Sequence, residues 1–425
     1  MKTIKETLLT AFALFSLFFG AGNLILPPFL GFNSGNLWWL VTLGFCVSAV
    51  LIPILGIIAH SRLQGTMFDF AKKVSPAFSL VYCFMVYAIS IALPSPRTAS
   101  VTHEMAISPL LGSSGFTTSL TYFLLVWLFA MNRSRILDII GRWLTPAILL
   151  VLVLIIGSAF LDNILKFDTV AFQGVFTNGI LEGYQTFDAI GAVVVGGVIL
   201  VSLNLKEPAY SYLHKRRLVA RAGWVAGAGL FLIYSGLIYT GAIMHPVFDP
   251  QINRTDLLAG IGTLTLGPTG RGLFAVLVSF ACFTTAVGIV TGTADFVKSR
   301  FPGTPWVYGA TAFLGSVIGV LVGQFNVGYI IAIALPALMF IYPLTITLIL
   351  LNIVPDRYTA PAIFRWVVYI VLLFSVPDFL KSIGWDSLLG HFPARIPMNE
   401  YSMGWVLPGF LTFLLGNLVR RIRAA

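Results

Sequence analysis

Apolar runs the length of a membrane crossing, separated by short polar stretches, make up almost the whole chain. A spanning helix needs ~20 apolar residues, and such runs fall at about 7–30, 37–60, 76–96, 116–132, 143–161, 183–205, 222–245, 270–297, 305–324, 326–352, 361–380 and 402–419. The pattern predicts an all-α polytopic membrane protein with twelve transmembrane helices in one integral membrane domain spanning 1–425. Connections such as Ser61 to Ser75 and Lys206 to Arg221 are too short for a soluble domain, so function must reside in the spans.

The first run breaks in its own middle. Phe18-Phe19-Gly20-Ala21-Gly22-Asn23-Leu24-Ile25-Leu26-Pro27-Pro28 puts two glycines, an amide and a double proline where lipid cannot satisfy a freed backbone group. The two prolines remove donors and disfavour helix just before them. A close-packing patch of small residues would account for the glycines but leaves Asn23 needing partners, so unwinding is the better reading. A half-helix ending near Phe19 would aim carbonyls at a cation, and the next would offer N–H groups near Gly22 and Asn23 to a carboxylate.

A second disturbed stretch, Glu182-Gly183-Tyr184-Gln185-Thr186-Phe187-Asp188-Ala189-Ile190-Gly191, opens the sixth run. Asp188, about six residues into that run, is costly at membrane depth and must be neutral, paired or functional; capping a broken helix and relaying protons both remain open. Runs one and six are five apart. Two five-helix units of opposite orientation would place their breaks at corresponding positions, the plan of inverted-repeat transporters. The first repeat is then expected over about 7–161, the second over about 183–352, and two additional helices over about 361–419.

Charge sharpens the topology. Charged residues make up only 10% of the chain, against roughly 25% in soluble domains. The net charge of +10 is topological rather than a nucleic-acid footprint: of the 26 Lys and Arg, twenty fall on one side of a twelve-span path that starts inside, and six on the other. Both termini are therefore expected in the cytoplasm of a cell whose plasma membrane the chain crosses. The N-terminal Met1-Lys2-Thr3-Ile4-Lys5 leads straight into the first run without a small-residue cleavage site, so that run reads as retained.

Catalytic chemistry is not visible. Cys46, Cys83 and Cys282 sit in apolar runs and read as packing, and the five histidines have no metal-ligand spacing. There is no nucleophile–base pair inside a span and no phosphate-binding loop, so neither an enzyme nor an ATP-driven pump is expected. In the eighth run, Ala281-Cys282-Phe283-Thr284-Thr285 places two hydroxyls side by side. Such threonines often bond back to their own helix, yet with carbonyls from a broken helix they would make the all-oxygen shell that suits a hard cation. Arg97 and Glu104, seven apart beyond Pro94-Ser95-Pro96, would share a helix face and are read as a structural ion pair at the outer end of span three.

Leu14-Phe15-Ser16-Leu17-Phe18-Phe19-Gly20-Ala21-Gly22-Asn23-Leu24-Ile25-Leu26-Pro27-Pro28 closely resembles the start of the bacterial branched-chain amino acid:cation symporters. Pro96-Arg97-Thr98-Ala99 with Glu104, Glu182 to Ala189, and Ala281 to Gly288 resemble further signatures of that family, in order, so the resemblance covers nearly the whole chain. The family is placed in the amino acid–polyamine–organocation superfamily. The resemblance therefore implies a leucine-transporter-type 5+5 inverted repeat with discontinuous helices 1 and 6, and uptake of leucine, isoleucine or valine across a bacterial cytoplasmic membrane. Na⁺ is the coupling ion it implies; a proton-coupled carrier of another small neutral amino acid is the alternative. No further cofactor, nucleic acid or obligate protein partner is implied.

Carried over position by position, the sodium site would take carbonyls of Ser16, Phe19 and Ala281 and hydroxyls of Thr284 and Thr285. Substrate backbone would meet Gly20, Ala21, Gly22 and Asn23, with its amine near Gln185, Thr186, Phe187 and Asp188. Two features depart from the family pattern. Tyr87 to Pro96 lacks the Gly-Pro of the third span, and Phe187 precedes Asp188 where methionine is usual.

Overall fold

The computed structural model describes residues 2–132, 136–161, 167, 174–194, 196–197, 211–390 and 395–424, and these contain no strand. The first run is split into α1 (Lys2–Phe18) and α2 (Ala21–Ser34). A path of α3 (Trp38–Cys46), a π-helical turn at Val47–Leu51 and α4 (Ile52–Leu63) follows, then the short α5 (Met67–Ala71). The third run is α6 (Pro76–Ala92) and α7 (Pro94–Thr102), continued through a π turn at His103–Ile107 into α8 (Ser108–Leu111). Next come α9 (Gly115–Asn132), α10 (Ile136–Leu161), α11 (Val175–Tyr184) and α12 (188–194). The remainder is α13 (Tyr212–Ile243), α14 (Arg254–Arg300, kinked at Gly267), α15 (Trp306–Gly323), α16 (Val327–Ile353), α17 (Pro361–Ser382) and α18 (Val406–Ala424).

Among the described residues, eight helical stretches are long and apolar enough to cross a membrane. Four of the twelve predicted runs do not appear as such stretches in their own right. The first is cut at Gly20, and its second half continues into α3 and α4 as one apolar path, Gly22–Leu63. The apolar part of α10, Pro146–Leu161, is shorter, and the 19 residues of α18 include Arg420, Arg421 and Arg423. The sixth run is interrupted at 185–187, and its end at 198–205 lies outside the described residues.

Two predicted boundaries need correction. The sixth span starts with α11 at Val175 rather than near 183, because Asn178 and Glu182 interrupt the apolar pattern of a segment that is helical all the same. The third span does not stop at 96. It bends at Leu93, whose φ/ψ of −124°/−68° is not helical, and runs on to Leu111 through buried Ser, Thr and Arg side chains that hydropathy alone reads as a loop.

Helix packing relies on close approach rather than on large side chains alone. Gly31 lies against the Ile238 carbonyl and Gly241 against the Pro28 carbonyl, so α2 and α13 meet backbone to backbone. Gly44 and Gly179 make the same contact between α3 and α11, against the carbonyls of Phe176 and Val41. With no hydrophobic drive between helices in lipid, such contact supplies the dispersion that holds a membrane bundle. Tyr82, Tyr184, Tyr234 and Tyr342 fill the interior, while Leu124, Leu154, Phe313, Leu314, Leu321 and Leu415 are exposed on the outside, as a lipid-facing surface requires.

Candidate functional site

The first break is closed by its own asparagine. Gly20 is extended (φ −114°, ψ −171°), and its N–H lies 3.0 Å from the Phe18 carbonyl and 3.3 Å from Asn23 Oδ1. Asn23 N–H donates back to the Gly20 carbonyl at 3.1 Å, so the asparagine and the glycine backbone together start α2. The amide nitrogen of Asn23 then reaches across the fold, donating to Asp188 Oδ2 at 2.6 Å and to the Tyr234 hydroxyl. Tyr234 in turn donates to the same carboxylate oxygen at 3.4 Å. Asn23, Asp188 and Tyr234 are all buried, so the three form a satisfied polar network joining both breaks to α13.

The second break spans Gln185 to Phe187. Phe187 adopts φ +63°, a left-handed conformation that a bulky side chain holds only when its surroundings enforce it. The Thr186 hydroxyl donates to the Gly183 carbonyl at 2.8 Å and accepts from Asp188 N–H at 3.2 Å, ending α11 and starting α12. Asp188 is thus the first residue of the second half-helix, not six residues into a continuous one. A carboxyl group there lies at the positive end of a helix dipole.

A cavity of about 760 Å³ joins the two breaks to α14. Gly20, Gly22, Asn23, Thr186, Phe187 and Asp188 line it, as do Ser16, Thr284 and Thr285. Of the other predicted positions, Ala21 opens α2 and its side chain lies outside the described residues. Gln185 is buried behind the cavity wall. Phe19 packs its ring between Phe15 and Tyr234, with centroids 5.3 and 6.4 Å away.

Both threonine hydroxyls donate to the Ala281 carbonyl, at 3.0 Å from Thr284 and 2.9 Å from Thr285, so each bonds back to its own helix. That bond uses the hydroxyl proton and leaves the oxygen lone pairs available. Thr285 Oγ1 stands 3.6 Å from where a β-carbon on Gly20 would be, which brings the hydroxyl to the first break. Thr284 and Thr285 thus present neutral oxygen acceptors to the cavity.

Arg97 and Glu104 do not pair. Glu104 accepts from the Thr255 hydroxyl and, at 2.8 Å, from Val327 N–H at the start of α16. Arg97 turns inward, donates from Nη1 to the Gln185 carbonyl at 2.8 Å, lies 5.3 Å from the Phe187 ring centroid and lines the cavity. Glu104 sits in the π turn at His103–Ile107, which breaks the α-helical register after Arg97, so the seven-residue spacing does not bring the two side chains together. The signal for Arg97 was a charge among serines and threonines just past two prolines, which hydropathy reads as a loop. Tyr234 gave no signal, as one hydroxyl within a long apolar run.

The two ends of the cavity differ. Towards Thr66, Asp295, Ser299 and Arg300 its lining becomes exposed, so it opens there. At the opposite end Arg254 forms a two-point ion pair with Glu182, Nη1 to Oε2 and Nη2 to Oε1, both at 2.8 Å, while its guanidinium lies 4.6 Å from the Phe29 ring centroid. With the Glu104 contacts, this ties α2, α11, α16 and the π turn after α7 to the start of α14.

Residues 3–423 match a family model described as "Branched-chain amino acid transport protein". The chain is 30% identical over 429 residues to the branched-chain amino acid transport system 2 carrier protein of Pseudomonas aeruginosa, covering 98% of this chain and 96% of that one. The system 3 carrier protein of the same organism is 31% identical over 430 residues, with 98% and 97% covered. Among solved structures, the inward-facing conformation of Mhp1 superposes with a TM-score of 0.61 at 13% identity, covering 98% of this chain and 91% of that one. MhsT in complex with L-phenylalanine gives 0.57 at 18% identity, with 96% and 97% covered. At these identities the two structural likenesses establish the fold, that of leucine-transporter-type carriers with broken helices.

Proposed function

Because the chain belongs to the branched-chain amino acid transport protein family, one of carriers rather than enzymes, we propose that it is a symporter importing leucine, isoleucine and valine together with Na⁺. The observation that carries this reading is the single cavity shared by the two helix breaks and the Thr284–Thr285 pair. The breaks supply dipole ends and free backbone groups for an amino acid's charged ends, and the hydroxyls supply neutral oxygens for a cation. Na⁺ held between Ser16, Phe19, Ala281 and the two threonines would draw α1 and α14 together. Substrate would then meet Gly20 to Asn23 on one side and Gln185 to Asp188 on the other. Any gain in leucine affinity produced by the ion returns as an equal gain in ion affinity produced by leucine. Preference among the three side chains is small, since one methylene is worth only about 1–3 kcal/mol.

The Lys and Arg bias puts both termini and the Arg300 end in the cytoplasm of a bacterial cell. The cavity then opens inward, and the Glu182–Arg254 pair closes the outer face. Alternating access follows when the bundle rocks, the outer contacts part and the mouth near Arg300 shuts.

The rival coupling ion is H⁺, favoured by the burial of Asp188 with Asn23 and Tyr234. Uptake of radiolabelled leucine into proteoliposomes, under a sodium gradient at equal pH and then a pH gradient without sodium, separates the two. Accumulation with sodium alone is the expected result. Accumulation with the pH gradient alone would assign coupling to protons, and none under either would remove leucine as the substrate.

A further inference from the structure

We propose that Arg97 is the anchor for the substrate's carboxylate, the residue that makes a free acid group a condition of recognition. This rests on the transport reading above and assigns one of its contacts to a side chain.

Arg97 is 3% exposed and at cavity depth, yet among the described residues it makes no ion pair. It donates from Nη1 to a neutral carbonyl, that of Gln185, and its buried Nε has no acceptor. The other ionisable group at this depth, Asp188, gives Oδ2 to Asn23 and Tyr234 instead. A guanidinium removed from water without an opposing anion is held at a cost of several kcal/mol, which an incoming anion would relieve.

The surroundings fit one kind of anion. A β-carbon at position 22 would stand 2.5 Å from Arg97 Nη2 and 3.3 Å from the Gln185 carbonyl, so the guanidinium reaches into the gap between the two helix breaks beside Gly22. At Gly22 it also meets the first turn of α2, whose N–H groups and dipole attract negative charge. The Phe187 ring backs the guanidinium face, which leaves its edge, the side that binds carboxylates with two parallel hydrogen bonds. Asp188 lines the same cavity. The site therefore sets a cation, Arg97, and an ionisable carboxyl, Asp188, around one cavity, an arrangement that suits an amino acid's backbone with Arg97 on the carboxylate.

Binding of tritiated leucine to the purified protein in sodium chloride, competed by unlabelled leucine or leucinamide, tests the assignment. Leucinamide keeps the side chain and amine but lacks the anion. In the wild type it should compete at least thirtyfold more weakly than leucine. Arg97→Gln should lower leucine affinity by a similar factor and bring the two ligands close to parity. Arg97→Lys, with a charge but no fork, should fall between, a grading that loss of packing would not produce. Wild-type protein that accepts both ligands equally, or a folded Arg97→Gln with undiminished preference for leucine, would overturn the anchor while leaving the transport reading standing. If Arg97→Gln does not fold, the wild-type ratio and Arg97→Lys decide. A wild type that binds no leucine would remove the transport reading and the anchor together.

Discussion

Cutting the Glu182–Arg254 pair should open the face it closes, by an amount the geometry bounds. Two parallel charge-assisted hydrogen bonds of 2.8 Å join the side chains, which retain 26% (Glu182) and 17% (Arg254) of their exposure. Hydrogen bonds to charged groups contribute roughly 1.5–3 kcal/mol when buried, and exposed ion pairs about 0–1 kcal/mol. A partly exposed two-point pair therefore lies near 1–2 kcal/mol. At about 1.4 kcal/mol per factor of ten, Glu182→Gln or Arg254→Gln should raise the population open on that face by roughly 5–30-fold. Thr98 lines the cavity and is buried, so a cysteine there would report the opening. In right-side-out vesicles, with Cys46, Cys83 and Cys282 replaced, a membrane-impermeant maleimide added outside labels Thr98→Cys at a rate proportional to the open population. Both single variants should accelerate labelling, and the double variant should match them because the same contact is lost. Rates within twofold of the parent, or single effects that add fully in the double variant, would refute the pair as a latch.

Losing a hydroxyl from the proposed ion site, in Thr284→Ala or Thr285→Ala, should weaken Na⁺ roughly tenfold, about 1.4 kcal/mol, read as the sodium dependence of leucine uptake; a double variant with unchanged dependence removes α14 from the site. Asp188→Ala takes the shared acceptor from buried Asn23 and Tyr234 and should lower stability by about 1–3 kcal/mol, seen as an earlier thermal unfolding transition in detergent. Gly241→Ala would press a methyl into the Pro28 carbonyl, with an expected loss of about 1–3 kcal/mol by the same measurement. On the surface, the hydrogen bond and charge of Lys73 hold the Asp356 carboxyl below its usual range. A depressed acid contributes stability above its unfolded value near 3.9 and loses it as pH falls through the folded one. Wild type and Asp356→Asn should therefore differ slightly at neutral pH and coincide in strong acid.

The first break was legible from Gly20 and the amide beside it, whereas the prolines misled: α2 runs on through Pro27 and Pro28, and the chain leaves the helix only at Phe19 and Gly20. The second was legible within Glu182 to Gly191, but the start of its span was misplaced, since Asn178 and Glu182 lower hydropathy without breaking α11, and the conformation of Phe187 leaves no mark in residue type. Arg97 was visible as a residue and not as a site residue. Its partner depended on the bend at Leu93 and on Gly22, 75 positions earlier in the chain, making room for it. Long-range contacts such as Asn23 to Tyr234 lie outside what local pattern can report, and hydropathy counts an inward-facing charge as a loop whenever neighbouring helices bury it.

The glycine seams also constrain how this bundle can move. Where Gly31 and Gly241 lock α2 to α13, and Gly44 and Gly179 lock α3 to α11, the backbones interdigitate with no side-chain cushion to deform. Sliding one helix along the other would drive Pro28, Ile238, Val41 and Phe176 into neighbouring β-carbons within a fraction of a turn. Each pair must travel as a welded unit, so shear is forbidden along these seams and rotation has to be taken up at non-helical joints such as Gly20, Phe187, Leu93 and Gly267.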